Sequence, residues 1–114
     1  MSNAVVYVDY ADGLKRVMNN TKFFVKLLTK FRNETKLDDL ETSLADGDLE
    51  KAQAAAHTIK GLAANLSLSE LFQQSLELET QIKSGTVDPN QIETVKAVFA
   101  ATLQEADKVI AEHG

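Results

Sequence analysis

Two histidines occur in this 114-residue chain, and one of them keeps unusual company. His57 lies within Leu49–Leu66, a stretch rich in alanine, the strongest helix former. At about 100° per residue, Ala55, Ile59, Leu62 and Leu66 fall opposite His57 and form an apolar stripe that faces a core. Glu50, Gln53, Ala54, Lys60, Gly61 and Ala64 fall within about 60° of the imidazole. The ring therefore points to water from the middle of a helix buried on its other side. A ring nitrogen is a nucleophile, and the Lys60 ammonium, one turn away on the same face, can reach a group attached to the ring. An exposed imidazole beside a cation suits transient holding of a phosphoryl group, whose equatorial oxygens the cation would offset.

The neighbours of His57 are small where a solvated helix face normally carries long polar side chains. Glycine inside a helix costs about 1 kcal/mol relative to alanine. Gly61, with Ala54 and Ala64, would clear a path for another macromolecule to approach the ring. Gly61 as a tolerated weakness, or as a close helix–helix contact, is the plainer alternative; its outward position weighs against the second.

A short turn near Ser67–Leu68 adds a partner helix. Ser67 with Glu70 three residues on reads as a capping box opening that helix. In an antiparallel hairpin centred there, levelled positions have numbers summing to about 136, which sets His57 against Glu79 and Gln53 against Lys83. Glu79 would then accept a hydrogen bond from Nδ1, fixing the tautomer and leaving Nε2 free to attack. Lys83 would bring a second cation. The alternatives are an ion pair between Glu79 and Lys83 themselves, four residues apart, or simple solvation.

The rest of the chain supplies the scaffold. Asp9 can cap a short helix running to about Met18. Asn20 or Thr21 can cap another, with Phe23, Phe24, Leu27, Leu28 and Phe31 on one face. Leu37, Leu40 and Leu44 continue the apolar seam after a phase slip near Asn33–Lys36, giving one bent helix or two. Gly47 ends the segment and Asp48 caps the histidine helix. The next helix buries Leu71, Ser75, Leu78 and Ile82 and is followed by Gly85. Asp88-Pro89-Asn90-Gln91 supplies a cap, a proline at the first helical position and a box partner. The last helix turns Ile92, Val95, Phe99, Ala106 and Ile110 inward to about Glu112. Val5–Val8 alternates like a strand but is too short and isolated to build a sheet. Long helices joined by short turns predict an all-α, antiparallel up-down-up-down four-helix bundle, with the short extra N-terminal helix as a lid. Residues 1–8 form a tail and 9–113 a single domain.

Composition narrows the function. Apolar residues at 44% and charged residues at 25% are the balance of a soluble globular domain, and a chain of this length buries roughly two-thirds of its unfolded surface. With no cysteine, disulfides and thiolate metal sites are excluded. No apolar run approaches the roughly 20 residues that span a bilayer, and no signal-peptide pattern is seen, so no membrane partner and a cytoplasmic location are expected. The net charge of −5 argues against nucleic acid and, without a long exposed apolar stripe, for a monomer. Charge is uneven: seven of twelve basic residues lie between Lys15 and Lys36, and fourteen of seventeen acids follow Leu37. Solvation of helix faces explains most of this pattern.

The segment Ala56-His57-Thr58-Ile59-Lys60-Gly61, followed by Ala63-Ala64-Asn65-Leu66 and Leu78-Glu79, closely resembles the signature of histidine-containing phosphotransfer (HPt) domains. The likeness extends to Phe31 and to Ala45-Asp46-Gly47-Asp48. It departs at Ser67, where the family usually has glycine, and at Gln74, often apolar, which would loosen packing. The resemblance implies a four-helix bundle in which His57 carries phosphate between aspartates of receiver domains. It implies that Lys60 stabilises the phosphoryl group, that Gly61 admits the receiver surface, and that Glu79 orients the ring. It also implies partners of two kinds, a response-regulator receiver domain and a sensor (hybrid) histidine kinase. Such domains bind no ATP, and the chain has no Gly-rich phosphate cradle and no paired-carboxylate metal motif. No cofactor is expected, and any Mg²⁺ would belong to the receiver. Gln53, Ala54, Thr58, Gly61, Ala64 and Leu68, with the short first helix, form the expected docking face.

Two other functions are compatible with a helical bundle. A pure interaction module would leave His57 ordinary. A metal-dependent bundle enzyme would need Glu-x-x-His pairs pointing inward, and no such spacing involves His57. His113, at the C-terminal end, reads as solvated.

Overall fold

The computed structural model describes residues 5–114; residues 1–4, the start of the expected tail, lie outside the described residues. Six helices occur among the described residues, and no strand. They are α1 (Tyr10–Arg16), α2 (Thr21–Arg32), α3 (Lys36–Ala45), α4 (Leu49–Leu66), α5 (Ser69–Ser84) and α6 (Pro89–His113). Val5–Val8 forms no strand; Val6 instead accepts a backbone hydrogen bond from Glu70, and the Asp9 N–H donates to the Ser67 carbonyl. None of the helices is long and apolar enough to cross a membrane.

Local chemistry explains most boundaries. Asp9, Asn20, Asp48 and Asp88 each accept a backbone N–H from the first turn of α1, α2, α4 and α6, satisfying donors that the helix leaves unpaired. Gly47 and Gly85 follow α3 and α5 with φ of 73° and 81°, the left-handed geometry that closes a helix. The phase slip at Asn33–Lys36 resolves as two helices, α2 and α3. Pro89 opens α6, where its missing N–H costs nothing.

In two places the expected capping is replaced. Ser67 does not open α5; it closes α4 in the left-handed region, with φ of 57°. This conformation explains why glycine suits the position. The Ser67 hydroxyl donates to Asp12 Oδ2 at 2.5 Å and accepts from Arg16 Nε at 3.0 Å, tying α1 to the α4–α5 turn. Gln91 does not reach back to the start of α6 either. Its Nε2 donates to the Gln74 carbonyl and to Gln74 Oε1, while Gln74 Nε2 donates to Glu70 Oε2. Gln74 thus links α5 to α6 rather than loosening them.

The core is one cluster that includes Phe24, Leu28, Phe31, Leu40, Ile59, Leu71, Leu78, Val95 and Phe99. Phe23, expected with them, is 46% exposed. At i−1 from the fully buried Phe24 it is rotated by about 100° toward solvent. Leu62, Ile92 and Ile110 are partly buried against the core rather than within it. α4 packs against α5 and α3, α5 against α6, and α6 against α2, so the histidine helix is gripped from two sides. Its alanines, Ala52, Ala55, Ala56 and Ala63, are the buried positions that permit this close approach. α1 lies on α2 and α4 and ends at Arg16, two residues short of the expected Met18, because Met18 and Asn19 are left-handed. Gly13 rests on the Phe24 ring, where a β-carbon would lie 2.5 Å from the ring atoms. His113 is not merely solvated: it stacks on Tyr10 with centroids 4.4 Å apart, and so closes the end of α6 against α1.

Candidate functional site

His57 projects from the middle of α4 with 67% of its side chain exposed. One position earlier Ala56 is fully buried, and two later Ile59 is as well, so the helix cannot roll without exposing these core residues to water. The ring stands on a shallow open depression lined by Glu50, Gln53, Ala54, Thr58, Glu79 and Lys83.

α5 supplies the ring's anchor. His57 Nδ1 lies 3.1 Å from Glu79 Oε2. An ionised carboxylate can only accept, so the shared proton sits on Nδ1 and the lone pair of the neutral ring on Nε2. Glu79 itself is nearly covered, with 3% of its side chain exposed. Burial is the strongest influence on its carboxyl and pushes the pKa up. The close contact and charge of Lys60, the charge of Lys83 and the His57 contact together outweigh it and hold the group below its ordinary value of 4.5.

Three groups thus converge on one carboxylate. The Lys60 ammonium is 2.7 Å from Oε1, and the Lys83 ammonium is 3.8 Å from Oε2. The Lys60 approach is that of a close ion pair lying off the ideal hydrogen-bond direction, so Oε1 is charge-compensated without a well-aligned donor. Lys60 is therefore engaged with Glu79 rather than waiting free beside the ring. Hairpin register levels Lys60 with about Leu76, which concealed this pair in the sequence; the four-carbon stem of lysine spans the remaining turn. Lys83 is more exposed and lies in the same depression as the ring.

The approach to His57 is open on its C-terminal side. A β-carbon built at Gly61 would meet nothing within 4 Å, so close packing in the isolated molecule does not require glycine there. Gln53, Ala54, Thr58, Gly61 and Ala64 all keep exposed or half-exposed surface on this face. Leu68 does not join them. It is completely buried, because the α4–α5 turn folds inward and uses Leu68 as a core plug. Ala54 and Thr58 also border a second, polar groove between α3 and α4, lined by Lys36, Asp39, Asp46, Asp48 and Lys51. Among the described residues no group of three or more His, Asp or Glu is placed to hold a metal ion.

The arrangement can do one kind of chemistry readily. An imidazole fixed through Nδ1 can offer Nε2 to an incoming electrophile, and the two lysines paired with Glu79 bring positive charge to the same site. Among protein families, the Hpt domain model matches residues 26–108, which takes in α3, α4, α5 and most of α2 and α6, with every residue of the His57 site. No curated protein and no solved structure matches the chain at a significant level. The family match covers well over half of the sequence, and the chain belongs to the Hpt domain family.

Proposed function

We propose that this protein accepts a phosphoryl group on His57 Nε2 from the aspartyl phosphate of a receiver domain, or from a sensor kinase, and passes it to a response-regulator receiver. Hpt domains serve as histidine phosphotransfer carriers in phosphorelays rather than as kinases. The observation that carries the residue assignment is the exposed ring with Nδ1 engaged by Glu79, which leaves the lone pair for attack on Nε2.

In this reading the domain spans residues 9–113 as an antiparallel up-down-up-down four-helix bundle, with α3 continuing the second segment and α1 as its lid. Lys60 and Lys83 release part of their hold on Glu79 to meet the phosphoryl oxygens. Gln53, Ala54, Thr58, Gly61 and Ala64 receive the partner's surface. The receiver contributes its own Mg²⁺ and acidic pocket, and the carrier contributes positioning and charge. A monomer working in the cytoplasm through brief, modest interfaces fits repeated docking.

The test is incubation with a phosphorylated receiver. An acid-labile, alkali-stable phosphoprotein is expected, absent in His57→Gln. Lys60→Ala is expected to slow transfer while leaving the fold intact. Undiminished labelling of His57→Gln would overturn the assignment.

A further inference from the structure

The acceptor beneath the ring is a carboxylate, and this has a consequence once His57 is phosphorylated. A neutral amide could present either an oxygen or an NH₂ group to Nδ1, whereas an ionised carboxylate can only accept. We propose that Glu79 keeps the Nδ1 proton on His57 throughout the cycle, so that the phosphorylated ring is held as a phosphoimidazolium, its readily transferred form. The inference rests on His57 being the phosphoacceptor.

The steps balance without any proton transfer. The Nε2 lone pair attacks phosphorus, the bond from phosphorus to the aspartyl oxygen breaks, and the electron pair leaves on the carboxylate. The ring now carries phosphorus on Nε2, hydrogen on Nδ1 and a positive charge. An ordinary phosphorylated imidazole in water would lose that proton as pH rises, becoming a poor leaving group. Here its loss would set the Nδ1 lone pair against Glu79 Oε2 at 3.1 Å, two acceptors with no hydrogen between them. In onward transfer the N–P bond breaks, its electron pair returns to Nε2, and the ring is again neutral with Nδ1–H in place. A base is needed at neither step.

The proton could be lost in one other way, by moving onto Glu79. The lysines oppose this, since Lys60 and Lys83 lie 2.7 Å and 3.8 Å from the two carboxylate oxygens and favour the ionised form. The charged groups facing the ring are Glu50 and Lys60 from α4 and Glu79 and Lys83 from α5. The charged residues of α3, Lys36, Asp39 and Asp46, line the neighbouring groove that shares Ala54 and Thr58. Glu79 is the one of these groups bonded to Nδ1.

The experiment uses the whole chain and phosphoramidate as donor. Nε2 forms the new N–P bond, the donor's P–N bond breaks, and ammonia leaves. Nitrogen-15 NMR then reports whether Nδ1 is protonated, and phosphorus-31 NMR reports the phosphohistidine lifetime. From about pH 6 to about pH 9 the wild type is expected to keep the Nδ1 proton and a nearly constant lifetime. In Glu79→Gln the proton is lost near neutral pH, and the lifetime lengthens by up to about tenfold per pH unit above that point. The wild-type titration alone decides the matter even if the variant folds poorly. Phosphohistidine at His57 that titrates like a free ring in the wild type overturns this proposal and leaves the carrier reading standing. No phosphate on His57 overturns both.

Discussion

Replacing Gly61 by alanine should make the protein more stable and a worse carrier. The position is interior to α4, where glycine costs about 0.8–1.0 kcal/mol relative to alanine. A β-carbon there meets nothing within 4 Å, so no clash offsets the gain. The net expectation is about 1 kcal/mol of added stability, or a rise in Tm of about 4 °C for a domain of this size. Docking changes the sign for function. Gly61 sits one turn from His57 on the approach side, and a partner close enough for in-line transfer must lie over it. Alanine is expected to slow phosphotransfer modestly, and glutamine, a bulkier neighbour with good helix propensity, by about 10- to 100-fold, as a misplacement of about 1 Å can do. Thermal unfolding by circular dichroism gives the first number, and transfer from a phosphorylated receiver gives the second. If Gly61→Ala is destabilised, the helix-interior argument is wrong. If Gly61→Gln transfers at the wild-type rate, no partner surface passes over this position.

Other outcomes follow from the same packing. Leu68→Ala empties a fully buried site and should cost about 2–5 kcal/mol, while transfer per folded molecule stays near wild type because Leu68 lies beneath the docking face; a selective transfer defect would return it to that face. Ser75 carries a buried hydroxyl with no hydrogen-bond partner, so Ser75→Ala should stabilise by about 1 kcal/mol in denaturant unfolding. A loss of stability there would mean that the hydroxyl is paired. Glu79, whose carboxyl is held below its ordinary value, stabilises the fold above the unfolded-state pKa near 4.5, and that contribution is lost as pH falls through the lower folded value. Unfolding curves of the wild type and Glu79→Gln should therefore converge in acid and separate at neutral pH; a constant gap across that window would contradict the ion-pair account.

Most of the scaffold was legible because its signals are local. Asp9, Asn20, Asp48 and Asp88 cap the helices they precede, since a short acceptor side chain there has few other uses. His57 and Glu79 could be paired from hairpin register alone. What stayed hidden depends on tertiary detail. Ser67 has the spacing of an N-cap, but the turn requires a left-handed residue at that point, and its hydroxyl is taken by Asp12 and Arg16, 55 and 51 residues away in sequence. Leu68 looked like surface because it adjoins a turn, and it is buried because that turn tucks inward. His113 stacks on Tyr10 across almost the whole length of the chain, a contact that no periodicity encodes. Lys60 lies on the expected face, yet its ammonium is drawn aside to the buried charge of Glu79.

The account is tested most directly by locating the phosphate. After brief exposure to a phosphorylated receiver, the protein should be digested at alkaline pH and its peptides sequenced by tandem mass spectrometry. The phosphoryl group is expected on His57 alone, lost on acid treatment and missing from His57→Gln. Phosphate on His113, or an acid-stable phosphate on a serine or threonine with His57 unmodified, would contradict it.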